Sequence, residues 1–333
     1  MRAPALALLV LTLRLSAGDQ AGFGGDWTPL ESRDGLGLDV QEEEPLRRLA
    51  HGEISCVIVR NVLSQEQAAE VLARLAERDL VVRGERGKQA FGRRGGGRFA
   101  EVGVTIHGSS PVSWAKQAHA QNELFAALFH ELPKDPVKQL HAVLGNLAAG
   151  SGKRVVVPPN MTGHGVNGTG AIIRMHGPVP GSAFSPHFDG FIQGPYTGRN
   201  LRRAREFAVQ SSSYTTHSCF STVLILQSAA DTTNPATRVY NASLDELLDE
   251  RGHPRPKVNG GHHEVGVHFN PQIYEFFNDT KTKSYSPQLK TGDLYVFSAS
   301  RIHETFDIVG RHRITVASFM LWRDDLDEVL LYQ

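Results

Sequence analysis

In the stretch FSPHFDGF, residues 184 to 191, His187 and Asp189 stand two positions apart behind Pro186. Imidazole and carboxylate are metal-ligating groups, and on an extended strand residues two apart point to the same face, so both could reach one ion. A facial site needs a third donor from a neighbouring strand. The candidate lies in GDLYVFSASRIHETFDIVGRHRITVASF, where His303 is followed ten residues on by Arg313 and then, two further, by Thr315. Histidine and arginine so spaced on adjoining strands would bring a ligand and a guanidinium into one cavity. Plainer readings stand beside this one. A His-x-Asp triplet arises by chance in a chain with fifteen histidines, and a polar pair on a strand surface accounts for it equally well. His312, in RHR, is a rival to His303 that reads as solvated or packed outside. GGHHE at 260 to 264 offers two adjacent histidines, but neighbours on a strand face opposite ways, so an exposed turn is the better reading. Arg174 faces either the cavity or the outer surface, and Phe184 and Phe188 read as core.

The elements that must carry these residues fall into two zones. ISCVIVRNVLSQEQAAEVLARLAERD, residues 54 to 79, reads as a β-branched strand from Ile54 to Val59 and then a helix with Ser64 as N-cap and Gln67 three residues on. Ala68, Val71, Leu72 and Leu75 share one face of that helix, which should pack on a sheet. Residues 84 to 103, rich in Gly and Arg, read as a flexible loop, and residues 113 to 148 as two helical segments interrupted at Pro133 and Pro136. From about residue 155 the pattern changes to short β-branched or aromatic runs: VVVPP, GAIIRMHG, STVLILQS, ATRVYNAS, GDLYVFSA and RITVASFMLW. LDELLDERG, 244 to 252, is the one short helix expected among them. Helices first and strands afterwards predict an α+β domain with a sandwich or barrel of antiparallel strands.

The N-terminus, MRAPALALLVLTLRLSAG, has Arg2, an apolar run and then small residues, and reads as a secretory signal peptide over residues 1–18. Residues 19–53 read as irregular, leaving a single domain over 54–333 with a helical part at 54–150 and a β core at 155–323. No run is long and uncharged enough to span a bilayer. Asn160, Asn167, Asn241 and Asn278 stand in glycosylation sequons, compatible with a luminal or secreted chain. Lys plus Arg and Asp plus Glu both number 35, so global charge implies neither nucleic acid nor a membrane surface as partner. RRGGGR at 93 to 98 and RNLRRAR at 199 to 205 read as solvated loops. Cys56 and Cys219 allow one disulfide at most, and sequence does not decide between a bond and two buried thiols. Oligomeric state is likewise open.

The HFD triplet, the distal histidine and the arginine ten residues beyond it with a threonine two further resemble the signature of the Fe(II)/2-oxoglutarate-dependent dioxygenases. GSAFSPHFDGF is similar to the corresponding stretch of the prolyl 4-hydroxylase branch, with Phe184 where that branch carries Tyr. STVLILQSAADTTNPATRVY, LKTGDLYVF and the early VLSQEQAAEVLARL helix resemble the family's segments in turn. The likeness covers most of 54 to 323, weakly over 84 to 155. Asn234-Pro235 replaces the family's Gly-Gly, and Arg313 stands where prolyl 4-hydroxylases carry Lys. The long stretch between His187 and His303 implies an insertion, at 192 to 217 or 241 to 285.

The resemblance implies a double-stranded β-helix, or jelly roll, with flanking N-terminal helices, and His187, Asp189 and His303 as iron ligands. Three ligands on one face leave three coordination positions open, two for a chelating 2-oxo acid and one for O2. Arg313 would grip the distal carboxylate of 2-oxoglutarate, with a hydroxyl bond from Thr315; Tyr214 and Thr222 are weaker candidates for cosubstrate contacts. The implied cofactors are Fe(II), 2-oxoglutarate and O2, with ascorbate as an accessory. Related halogenases replace the carboxylate with a small residue that makes room for chloride, so the presence of Asp189 makes hydroxylation the expected outcome. The first expectation is hydroxylation of a peptidyl residue, proline among them, in the endoplasmic reticulum lumen or outside the cell. The alternatives are a small amino acid or natural product as substrate, or a jelly-roll binder without turnover.

Overall fold

The computed structural model describes residues 27–80, 99–103, 111–157, 170–177, 184–189, 218–228, 237–243, 246, 262–263, 266–268, 273–308, 311–322 and 324–332. In chain order these hold β1 (Leu30–Ser32), a 3-10 helix (Leu38–Glu43), α1 (Pro45–His51), β2 (Val57–Val59), α2 (Gln65–Glu77) and β3 (Phe99–Val102). There follow α3 (Pro111–Phe129), α4 (Pro136–Gly150), β4 (Arg154–Val156), β5 (Ile172–His176), β6 (Phe184–Asp189), β7 (Cys219–Gln227) and β8 (Thr237–Ser243). The last are β9 (His262–His263), β10 (Gly266–His268), α5 (Ile273–Asp279), β11 (Ser284–Tyr285), β12 (Leu294–Ser298), β13 (Arg301–Thr305), β14 (Arg313–Leu321) and β15 (Glu328–Tyr332).

The strands form two sheets. The larger runs β1-β2-β12-β7-β14-β15-β4, with β5 also on β14 and β3 on β5; the smaller runs β11-β8-β13-β6-β10-β9. The period of two sorts the larger sheet's side chains into two cores. Val57, Val59, Leu224, Leu226, Leu294, Val296, Ile314 and Val316 join the helix residues Val71, Leu75, Leu140 and Leu144 in one cluster. The alternate residues Ile58, Val223, Ile225, Tyr295, Phe297 and Phe319 join Val239 of β8 in the other, so one face takes the helices and the opposite face is turned to the smaller sheet. Two mainly antiparallel sheets layered in this way, with α2, α3 and α4 on the outer face of the larger one, are consistent with the expected jelly roll.

The helix ends follow the local sequence. The Ser64 hydroxyl accepts from the Gln67 N–H at 3.2 Å while the Gln67 side chain accepts from the Ser64 N–H at 2.9 Å, a capping box, and Ala68, Val71 and Leu75 are buried as their spacing predicts. Asp135 caps α4 by accepting from Val137 N–H and Lys138 N–H, with Pro136 in the first turn where its missing donor costs nothing.

Several expectations are corrected. The segment 19–53 carries, from residue 27 on, β1, the 3-10 helix and α1; β1 pairs in parallel with β2, a long-range register that local composition does not signal. The expected loop at 84–103 ends in β3, which pairs antiparallel with β5. α5, IYEFFND, is aromatic-rich and β-prone in isolation, yet it is helical because Ile273 and Phe277, four apart, are both buried. Of LDELLDERG only Glu246 is described, and it is helical. Cys56 and Cys219 are separate buried thiols. Cys56 directly precedes β2 and Cys219 opens β7, strands that lie on either side of β12 and about 9.5 Å apart, beyond the roughly 7 Å a disulfide spans. Burial pushes the Cys56 thiol up to about 12. The Asn241 side chain accepts a hydrogen bond from Arg301 at 2.6 Å, whereas Asn278 is exposed on α5. The signal segment, Asn160, Asn167, Tyr214, Phe188's side chain, the Asn234-Pro235 loop and all of 192–217 lie outside the described residues. None of the described helices is long and apolar enough to cross a membrane.

Two glycines separate backbone demand from tolerance. Gly292 has φ +92°, and a Cβ there would stand 1.9 Å from the Leu63 carbonyl oxygen. Gly145 lies inside α4 with nothing within 4 Å of an added Cβ. Gly292→Ala should lower unfolding free energy by about 2 kcal/mol or more, and Gly145→Ala should raise it by about 0.5–1 kcal/mol, both read by urea denaturation.

Candidate metal centre

β6 and β13 run antiparallel with His303 opposite His187, so the two imidazoles share a face and their ring centroids are 4.2 Å apart. Asp189, two residues beyond His187 on β6, returns to that face, and its Oδ2 lies 3.4 Å from His303 Nε2. One ligand atom from each of His187, Asp189 and His303 lies within 4.8 Å of the other two. Metal–ligand distances of about 2.1 Å put adjacent donors about 3 Å apart, so the three side chains would draw together around one ion.

The ring orientations suit a metal as well. His187 Nδ1 is 2.7 Å from the Ser185 carbonyl oxygen, and His303 Nδ1 is 3.0 Å from that of Arg301. A carbonyl only accepts, so each Nδ1 donates and each Nε2 is the ring nitrogen left to ligate a metal. His187 and His303 are buried and Asp189 half-buried. Two imidazoles and one carboxylate form the donor set of a mononuclear non-haem iron site with an open face. His312, the rival, directly precedes β14 with its backbone carbonyl accepting from Gln227, and is not part of this cluster. GGHHE contributes His262 and His263 to β9, which pairs with β10.

Arg313 and Thr315 stand on the face of β14 turned to the smaller sheet, opposite in alternation to Ile314 and Val316. Both are buried. An Arg313 NηH donates to Tyr295 Oη at 3.0 Å, and Tyr295 Oη is 3.1 Å from Thr237 Oγ1 on β8. Since Arg313 only donates, the phenol accepts from it and can pass its own proton toward Thr237, a relay that joins the two sheets. Tyr295 stacks on Phe297 at 5.5 Å, and Phe297 meets the His303 ring edge-on at 4.9 Å. One row of β12 side chains therefore fixes both the guanidinium and a histidine of the triad. Thr222, a weaker candidate in the sequence, lies on the opposite face, donating to the Ser318 carbonyl.

Behind His303, on the outer face of the smaller sheet, Glu304 is buried and accepts from Tyr240 Oη at 2.6 Å and from Tyr274 Oη on α5, with Arg238 at 3.6 Å. Tyr240 stacks on Phe277 at 4.2 Å. Burial and the nearby carboxylate hold both phenols well above their usual range, so both stay protonated donors. This network clamps the strand that carries His303 to α5. Sequence reading passed over Tyr295, Phe297 and Glu304. A tyrosine in the otherwise apolar run LYVF was the available signal, because a buried phenol needs a partner.

The layered fold and the triad define a mononuclear metal centre of the non-haem iron type, built on two facing sheets. The chain belongs to the family described as carrier-protein-independent halogenase WelO5, which matches residues 38–333 and is related to the Fe(II)/2-oxoglutarate-dependent oxygenases. The prolyl 4-hydroxylase branch suggested by GSAFSPHFDGF is not the family that matches. Among solved structures, the chain is similar to an N-substituted L-amino acid dioxygenase from Burkholderia ambifaria AMMD, with 10% identity and TM-score 0.43 over 89% of this chain and 91% of that one. It is also similar to the non-haem α-ketoglutarate-dependent epimerase SnoN of nogalamycin biosynthesis, with 12% identity and TM-score 0.41 over 88% of each chain. A third is AviO1 from Streptomyces viridochromogenes Tue57, with 15% identity and TM-score 0.40 over 87% and 96%. No curated protein sequence matches.

Replacing Glu304 by Leu strands two buried hydroxyls and a guanidinium. It should lower unfolding free energy by about 3 kcal/mol or more in urea and weaken Fe(II) binding about tenfold by loosening the strand under His303.

Proposed function

We propose that this protein is an Fe(II)- and 2-oxoglutarate-dependent hydroxylase of a C–H bond, with His187, Asp189 and His303 as metal ligands and Arg313 and Thr315 as cosubstrate contacts. The observation that carries the reading is Asp189: a carboxylate stands beside His187 and His303, on the face where halogenating relatives leave space for chloride. When bound, the metal, 2-oxoglutarate and O2 supply the oxidant that removes hydrogen from the substrate and returns oxygen, with succinate and CO2 as coproducts.

The chain's own part is positioning and charge. The two Nδ1–carbonyl hydrogen bonds aim Nε2 of each histidine into the space between the sheets. Asp189 supplies the single negative charge of the triad and fills one corner of it. Arg313, held by Tyr295, would supply a fixed cation for the distal carboxylate of 2-oxoglutarate. The buried aromatic rings around His303 exclude water from that side.

For the substrate, a peptidyl residue such as proline in the secretory pathway rests on GSAFSPHFDGF and on the N-terminal signal-like sequence. The alternative, a small amino acid or natural product, is favoured by an ion pair on the cavity-facing side of β3 and β5, between Glu101 and Arg174.

Anaerobic loading with Fe(II) and 2-oxoglutarate followed by O2 should release succinate, and incubation with the true substrate should add one oxygen to its mass. His187→Ala should abolish iron binding and turnover. Arg313→Ala should raise the 2-oxoglutarate KM tenfold or more with kcat changed less. Full activity in both variants, or metal binding without turnover across peptides and small molecules, overturns the reading.

A further inference from the structure

The larger sheet extends past β14 through β5 to β3, and the alternation that puts Arg313 and Thr315 inside continues across all three strands. Val102, Ile173, Met175, Ile314 and Val316 belong to the helix-side core. Their sequence neighbours Glu101, Arg174, His176, Arg313 and Thr315 therefore face the other way, toward the smaller sheet. The register aligns Glu101, Arg174 and Thr315 in one row across β3, β5 and β14, with His176 opposite Arg313 in an adjacent row.

Arg174 Nε donates to Glu101 Oε1 at 2.6 Å, with side-chain exposures of 26% and 17%, so the pair is largely enclosed but reachable. Burial, then the Arg313 and Arg174 guanidiniums, hold His176 well below the usual histidine range, which makes it a neutral neighbour to both. The His176 ring meets Phe184 at 6.5 Å, and Phe184 meets the metal ligand His187 at 5.9 Å. The ion pair thus stands on the wall of the same space as the triad, in the same row as Thr315.

An ion pair on an enclosed face is a poor brace, because apolar residues of similar size would fix the edge strand β3 at lower desolvation cost. Opposite charges held side by side do suit one kind of ligand: a zwitterion, whose ammonium can replace the arginine at the carboxylate while its carboxylate meets the guanidinium. A ligand with one charge would leave the other protein charge uncompensated. Resting on the hydroxylase reading above, we propose that Glu101 and Arg174 dock the α-ammonium and α-carboxylate of a free amino acid, which makes a free amino acid the substrate class.

The test is calorimetry on the full-length, metal-free chain, first with the twenty protein L-amino acids and then with the N-acetyl and methyl-ester forms of the tightest binder. At least one free amino acid should bind, and capping either end should weaken it tenfold or more. Glu101→Gln should erase the preference over the N-acetyl form while keeping the preference over the ester, and Arg174→Gln should do the reverse. Glu101→Asp and Arg174→Lys, which keep the charges and the brace, should retain both preferences. If no free amino acid binds, or if both neutral variants weaken all three forms alike, the inference is overturned and the pair is a brace for β3. Succinate formation from 2-oxoglutarate, measured separately, tells that failure from a failure of the hydroxylase reading.

Discussion

The antiparallel register of β6 and β13 is the constraint on which the rest depends. Because His303 lies opposite His187, two residues more than a hundred positions apart in sequence become neighbours on one face, and the period of two returns Asp189 to that face. A slip of one residue in either strand would turn its ligands to the outer side, so the metal centre is only as well defined as this pairing. Glu304 secures it from behind: its two tyrosines tie β13 to β8 and α5, and breaking any of these bonds would strand polar groups in the interior.

A further constraint is the alternation of the larger sheet. One side packs on α2, α3 and α4 through a largely apolar core of aliphatic and aromatic side chains. The other side is mixed, apolar toward β2 and β12 and increasingly charged toward β14, β5 and β3. Arginine, glutamate and histidine on an enclosed sheet face cost desolvation free energy that folding alone gives no reason to spend. Their position beside the triad supplies the reason. Arg313 fits a dicarboxylate cosubstrate, and Arg174 with Glu101 fits a small zwitterion, so the charged half of the sheet reads as the recognition surface of the site.

The metal donors were legible in the sequence because their geometry is local or nearly so. His187-x-Asp189 needs only a strand, and the capping box at Ser64 needs only four residues. What escaped were features fixed by partners distant in sequence. β1 exists because β2 accepts it, β3 because β5 does, and α5 because Tyr240 and Glu304 await its aromatic side chains. Arg174 could not be placed on either face until β5 had a register, and Glu101 was hidden in a stretch whose Gly and Arg content reads as loop. The separation of Cys56 from Cys219 by β12 was equally a matter of strand order, which composition does not encode.

The central claim is that His187, Asp189 and His303 hold a single iron ion. Anomalous X-ray diffraction at the iron absorption edge, on crystals grown anaerobically with Fe(II), addresses it directly. The account predicts one strong peak about 2.1 Å from Nε2 of both histidines and from a carboxylate oxygen of Asp189. A map without density there, or with iron held through Nδ1 or by other residues, would contradict it.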